Sequence, residues 1–170
     1  MNWFKIANNN IFTEKVKAIL KSHHFTQTLA GYYHVPLSDI DAHLQIEVCD
    51  LDGKFAEGNG KLIRIDKKLL DKNFFRDNFH FVIHEFFHWL KRRSEEQFYF
   101  NDPEEVQSFV LQMTWELIQG KSKKDMVTTI YPIIQAHFKN NERFREIFRE
   151  MVSRAVDLYM IYKSKGEFNI

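Results

Sequence analysis

Apolar positions recur along the chain first with a helical period, then with a period of two, then with a helical period again. That order predicts the α+β class, with a small antiparallel sheet packed on a mainly helical domain. Ile11, Phe12, Val16, Ile19 and Leu20 mark an amphipathic helix over residues 11–21 that opens the domain. Pro36 and the Ser38-Asp39 pair mark a loop or short helix between Tyr32 and Asp41. Leu44, Ile46 and Val48 then alternate with Gln45, Glu47 and Cys49, the pattern of a half-buried strand. Asp52-Gly53 and Asn59-Gly60 are turn signals, and Lys61-Leu62-Ile63-Arg64-Ile65-Asp66 follows the second. The expected product is a three-stranded antiparallel meander.

A longer helical pattern runs from about Leu69 to Arg93, with an early break near Asn73. Asp102-Pro103-Glu104-Glu105 reads as a helix start, Asp102 as N-cap and Pro103 at the first helical position. Val106, Phe109, Val110, Met113 and Leu117 form the inward stripe of that helix. Helical periodicity continues over residues 126–138, and again through Phe144, Ile147, Phe148, Met151, Val152, Ala155, Leu158 and Tyr159. This last helix packs on its own domain or serves a partner. The whole reads as a single domain over residues 1–170, with its core at about 44–117 and C-terminal helices between 121 and 163.

Composition narrows the picture. A chain of 170 residues with 44% hydrophobic content and 17 phenylalanines can bury a dense core. Lys+Arg 24 against Asp+Glu 23 leaves a net charge of +1, so no general field draws the chain to nucleic acid or to a membrane surface. The single Cys49 excludes an intrachain disulfide framework. The first ten residues carry no apolar signal segment, and no run is long enough to span a bilayer. The expectation is a cytoplasmic protein with no nucleic-acid or membrane partner.

The chemistry is concentrated in Val82-Ile83-His84-Glu85-Phe86-Phe87-His88-Trp89. On a helix, residues four apart share a face, so His84 and His88 can reach one metal while Glu85 lies beside it as a base. Chance places such an HExxH spacing in roughly 3% of chains of this composition. The bulky uncharged flanks suit a buried helix. Two histidines satisfied within the core are the plain alternative. His80 continues the same line, but His80 and His88 stand about 12 Å apart along a straight helix. One zinc with bonds of about 2 Å cannot take both. His80 therefore lines the cleft, supports the site or packs in the core.

The motif resembles that of the zincin metallopeptidases. Metzincins place Gly and then His after it, where this chain has Lys91 and Ser94. Gluzincins instead take a Glu from a following helix, which implies Glu105. On a helical wheel Glu105 sits beside Phe109 at the edge of the apolar stripe, and Glu104 points nearly opposite. Asp102-x-x-Glu105 is also a capping-box pattern, so Glu104 and Glu116 stay open as alternatives. The combination of strand, HExxH helix and Glu-bearing helix over about Leu44 to Leu117 resembles small gluzincins. Glu105-Val106-x-x-Phe109 is similar to the corresponding helix of the ImmA/IrrE-like peptidases, with Gln107-Ser108 where that family has Ala-Asn and with no helix-turn-helix signal.

The resemblance implies one Zn2+ per chain on His84, His88 and Glu105, an open position for water, and hydrolysis of a protein or peptide substrate with Glu85 as general base. Such enzymes add a His or Tyr from later in the chain to stabilise the oxyanion; His137, Tyr131 and Tyr99 are the candidates here. A strand just ahead of the motif helix either pairs with an extended substrate or is an ordinary edge guarded by Lys61 and Arg64. The segment from Ser94 to Asn101, with Phe98, Tyr99 and Phe100, is either a lid or a loop anchored by its aromatics. The contrasting reading is a catalytically silent zincin-fold binding or structural protein. Glu85 weighs against it, since a structural zinc site closes all four positions and needs no base.

Overall fold

A computed structural model describes residues 3–59, 61–93, 104–139 and 141–165. The chain clusters into two compact units, Met1–Phe98 and Tyr99–Ile170. The first holds α1 (Trp3–Ser22), α2 (His24–Tyr32), α3 (Ser38–His43), β1 (Gln45–Cys49), β2 (Ala56–Gly58), β3 (Leu62–Asp66), α4 (Lys72–Asn78) and α5 (His80–Arg93). The second holds α6 (Glu104–Ile118), α7 (Lys123–His137) and α8 (Phe144–Lys165). The class is α+β, with eight helices and one three-stranded sheet among the described residues.

The sheet is mixed, which corrects the expected antiparallel meander. Strand directions alternate along the chain as expected, but the spatial order is β1-β3-β2. β1 runs parallel to β3 in the register Ile46↔Ile63 and Val48↔Ile65, and β2 runs antiparallel with Glu57↔Arg64. The reason lies in burial. β3 carries Ile63 and Ile65, both essentially inaccessible, and so takes the central place. β2 is the short, polar Ala56-Glu57-Gly58 and suits an edge. The chain reaches β2 through a turn with positive φ at Asp52 and Gly53, a conformation glycine adopts without steric cost. The buried Asp66 anchors both ends of this arrangement: its Oδ2 accepts the Leu51 N–H at 2.9 Å and its Oδ1 the Lys68 N–H at 2.8 Å. On the solvent face, Arg64 ion-pairs with Glu47 of β1 and Glu57 of β2, tying the three strands side to side.

The helix expected over 69–93 is three pieces. A 3₁₀ turn spans Lys67–Leu70, and Asp71 then caps α4 by accepting from the N–H groups of Asn73 and Phe74. A second break at Phe79 starts α5 at His80. These breaks let Phe75 and Phe79 turn inward, their rings 5.0 Å apart. α1 is longer than the expected 11–21, and α3 occupies the segment expected as loop or short helix.

In the second unit, the expected stripe of α6 is the buried one. Val106, Phe109, Val110, Met113 and Leu117 share a cluster with Met126, Ile130 and Ile134 of α7 and with Phe144, Phe148 and Met151 of α8. Ser122 caps α7 through the Asp125 N–H. The proposed N-cap Asp102 and Pro103 lie outside the described residues.

Candidate metal centre

α5 is buried on nearly every side. Val82, Ile83, Phe86, Phe87, Trp89 and Leu90 are at most 1% accessible. The partly accessible positions Phe81, His84, Glu85, His88 and Lys91 instead fall on one stripe of the helix. An amphipathic surface helix has the opposite balance, with a narrow apolar stripe; here the narrow stripe is the chemical one.

Neighbouring elements hold that stripe in place. α5 packs against β2 and β3, and the Phe87 ring meets Tyr33 edge to face at 5.8 Å. At its C-terminal end Lys91, Arg92 and Arg93 complement the helix dipole. Arg92 Nη1 donates to the Asn59 carbonyl at 2.6 Å, fastening the end of β2 to α5. Arg93 donates twice to Asp39 Oδ2, at 3.1 and 2.8 Å, fastening α3.

On the stripe, the Nε2 atoms of His84 and His88 stand 3.3 Å apart, with ring planes at 62°. Two nitrogens bound at about 2.05 Å to one tetrahedral zinc are themselves about 3.3 Å apart. The pair therefore has the spacing that a shared zinc requires, and soft-to-borderline imidazole donors suit that ion. Magnesium or calcium would want oxygen ligands.

Glu85 is half-buried beside the pair and reaches toward β2. A Cβ placed on Gly58 would lie 2.6 Å from Glu85 Oε2. Gly58 was not singled out from the sequence, although a glycine inside a strand is a known sign of close approach. The strand bordering the motif helix with an open side is thus β2. β3, which the sequence placed there, is paired on both sides. Phe55 O accepts from Asp66 N, and Asn59 N donates to Leu62 O. By alternation, Glu57 also faces β3, while Ala56 and Gly58 turn their N–H and C=O groups to the open side.

The other candidates lie as follows. His80 is fully buried, its ring 4.2 Å from that of Phe81. Glu105 is in the first turn of α6, half-exposed, with its Oε2 3.9 Å from His137 Nε2. His137 ends α7 and packs edge to face on Phe109 at 5.5 Å. Tyr131 lies between Phe144 and Phe148, with ring distances of 5.5 and 4.9 Å. Glu116 is 2% accessible and ion-paired with Lys121. Tyr99 and the Ser94 to Asn101 segment lie outside the described residues.

Comparison of the chain with family models, with curated proteins and with solved structures returns no match. Among the described residues no helix is long and apolar enough to cross a membrane.

Proposed function

We propose that the protein is a zinc-dependent metallopeptidase of gluzincin type, acting on an extended peptide segment of a protein substrate. The reading rests on one observation, the convergence of His84 Nε2 and His88 Nε2 to 3.3 Å on a stripe that also carries Glu85. Glu105 is the third ligand in this reading. It opens the helix that follows the motif, whereas the alternative Glu116 already holds Lys121. When bound, zinc supplies Lewis-acid polarisation of the scissile carbonyl and brings the ionisation of a water toward neutral pH.

The chain's residues do the rest. Glu85 takes a proton from the attacking water and delivers it to the departing amine, the two halves of general base and general acid work. His137 is favoured over Tyr131 as the donor to the developing oxyanion. Its imidazole lies near Glu105, while the Tyr131 ring is packed between two phenylalanines. The outward N–H and C=O groups of Ala56 and Gly58 add a substrate strand to the sheet edge next to Glu85, so main-chain hydrogen bonds hold the peptide.

Metal content by mass spectrometry tests the reading on untagged wild type, His84→Ala and Glu105→Ala. About one zinc per chain in the wild type and none in either variant is expected. A wild type that takes up no zinc when it is offered removes the proposal. Retention by Glu105→Ala alone removes Glu105 from the ligand set.

A further inference from the structure

We propose that Gly58 is a positioning residue for Glu85: the missing side chain at this point of β2 is what lets the Glu85 carboxylate stand beside the strand edge. Its catalytic consequence rests on the peptidase reading above; its structural content does not. Three observations carry it. Gly58 lies on the α5-facing side of the sheet, because its neighbour Glu57 shares the solvent face with Arg64 and Glu47. Its φ is not in the left-handed region, so the backbone here does not itself require glycine. A Cβ at this position would stand 2.6 Å from Glu85 Oε2, and 3.5 Å from both Glu85 Cβ and Cδ. Only the carboxylate oxygen is in the way.

The consequence is specific. The clash is with the far end of a flexible side chain, so an alanine at 58 fits into the fold once Glu85 swings aside by about 1 Å, the distance that restores ordinary contact. The Arg92 to Asn59 hydrogen bond keeps β2 from retreating instead. The substitution moves the base while leaving the histidine pair in place, and a displacement of that size costs about 10²-fold in rate when it falls on a reacting group.

Four metal-free chains test it: wild type, Gly58→Ala, Glu85→Ala and the double variant, compared by thermal midpoint. Alanine is favoured over glycine inside a strand, so Gly58→Ala should raise the midpoint by about 2 °C in the Glu85→Ala background. In the presence of Glu85 that gain should vanish or reverse. Equal shifts in the two backgrounds would overturn the proposal. On the zinc-loaded chain, Gly58→Ala should keep its metal and KM while kcat for a peptide substrate falls about 10²-fold. An unchanged kcat would also overturn it. If the wild type hydrolyses no peptide, the peptidase reading fails and the four-chain cycle alone decides whether Gly58 makes room for Glu85.

Discussion

Zinc should raise the thermal midpoint of the wild-type chain and leave that of His84→Ala where it was. The two Nε2 atoms already stand 3.3 Å apart. Their helix is clamped by the fully buried Ile83, Phe86 and Phe87, so binding orders little that is not ordered already. Free zinc at 100 times Kd adds about 2.7 kcal/mol to the stability of the state that binds it. For a chain of this length each kcal/mol is worth about 2–4 °C, which gives a rise of about 5–11 °C. If losing one of three ligands weakens binding about 10³-fold, the same zinc stands at about a tenth of Kd and contributes about 0.06 kcal/mol, below what a melting curve resolves. Without metal, His84→Ala costs about 1 kcal/mol, the worth of the contact between the two rings. Scanning calorimetry of both proteins, metal-free, with zinc and with magnesium as the oxygen-preferring control, reads the difference directly. An equal zinc shift in both chains would place the metal on other histidines, such as the neighbours His23 and His24. That result, or no shift in the wild type, would refute the reasoning.

Other expectations follow from particular side chains. Glu85→Gln should keep its zinc and lose hydrolysis by about 10²–10⁴-fold, measured on peptide mixtures; loss of metal along with activity would make Glu85 a ligand instead of a base. Asp66→Ala should cost about 3–5 kcal/mol by urea unfolding, because two backbone N–H groups lose a buried charged acceptor; a cost under about 1 kcal/mol would mean that water replaces the carboxylate. His23 caps α2 by accepting the Phe25 N–H on its neutral Nδ1. Burial, aided by the neighbouring His24, holds its pKa below 6.5. The unfolded chain therefore takes up the proton first, so this cap is intact above about pH 6.5 and is lost as the pH falls from there through the lower folded-state value. Urea midpoints at pH 7.5 and 5 should show His23→Asn less acid-sensitive than wild type by about 1 kcal/mol; identical pH profiles would rule the cap out as the source.

Legibility in the sequence followed the range of the interactions. The histidine pair needed only the helical repeat, because residues four apart meet whatever else the chain does. The inward stripe of α6 was readable for the same reason, and Val106, Phe109, Val110, Met113 and Leu117 are the residues that pack. Alternation marked the strands, yet it could not say which strand would be central. That choice was made by the burial of Ile63 and Ile65 and by the Asp66 carboxylate reaching back 15 residues to Leu51. The breaks at Asp71 and Phe79 were hidden under continuous apolar periodicity, since the 3₁₀ turn, α4 and α5 all carry inward aromatics or leucines.

What the sequence determined by itself is the local chemistry: two imidazoles and a carboxylate on one face of a helix, an acidic start to a later helix, and the α+β class. Each of these depends on backbone periodicity, which a short stretch of chain settles alone. The tertiary structure decided that β2, and not β3, offers its open edge beside α5, and that Gly58 leaves the space Glu85 fills. Such facts depend on which surfaces exclude water together, and distant residues with no shared pattern along the chain settle that competition.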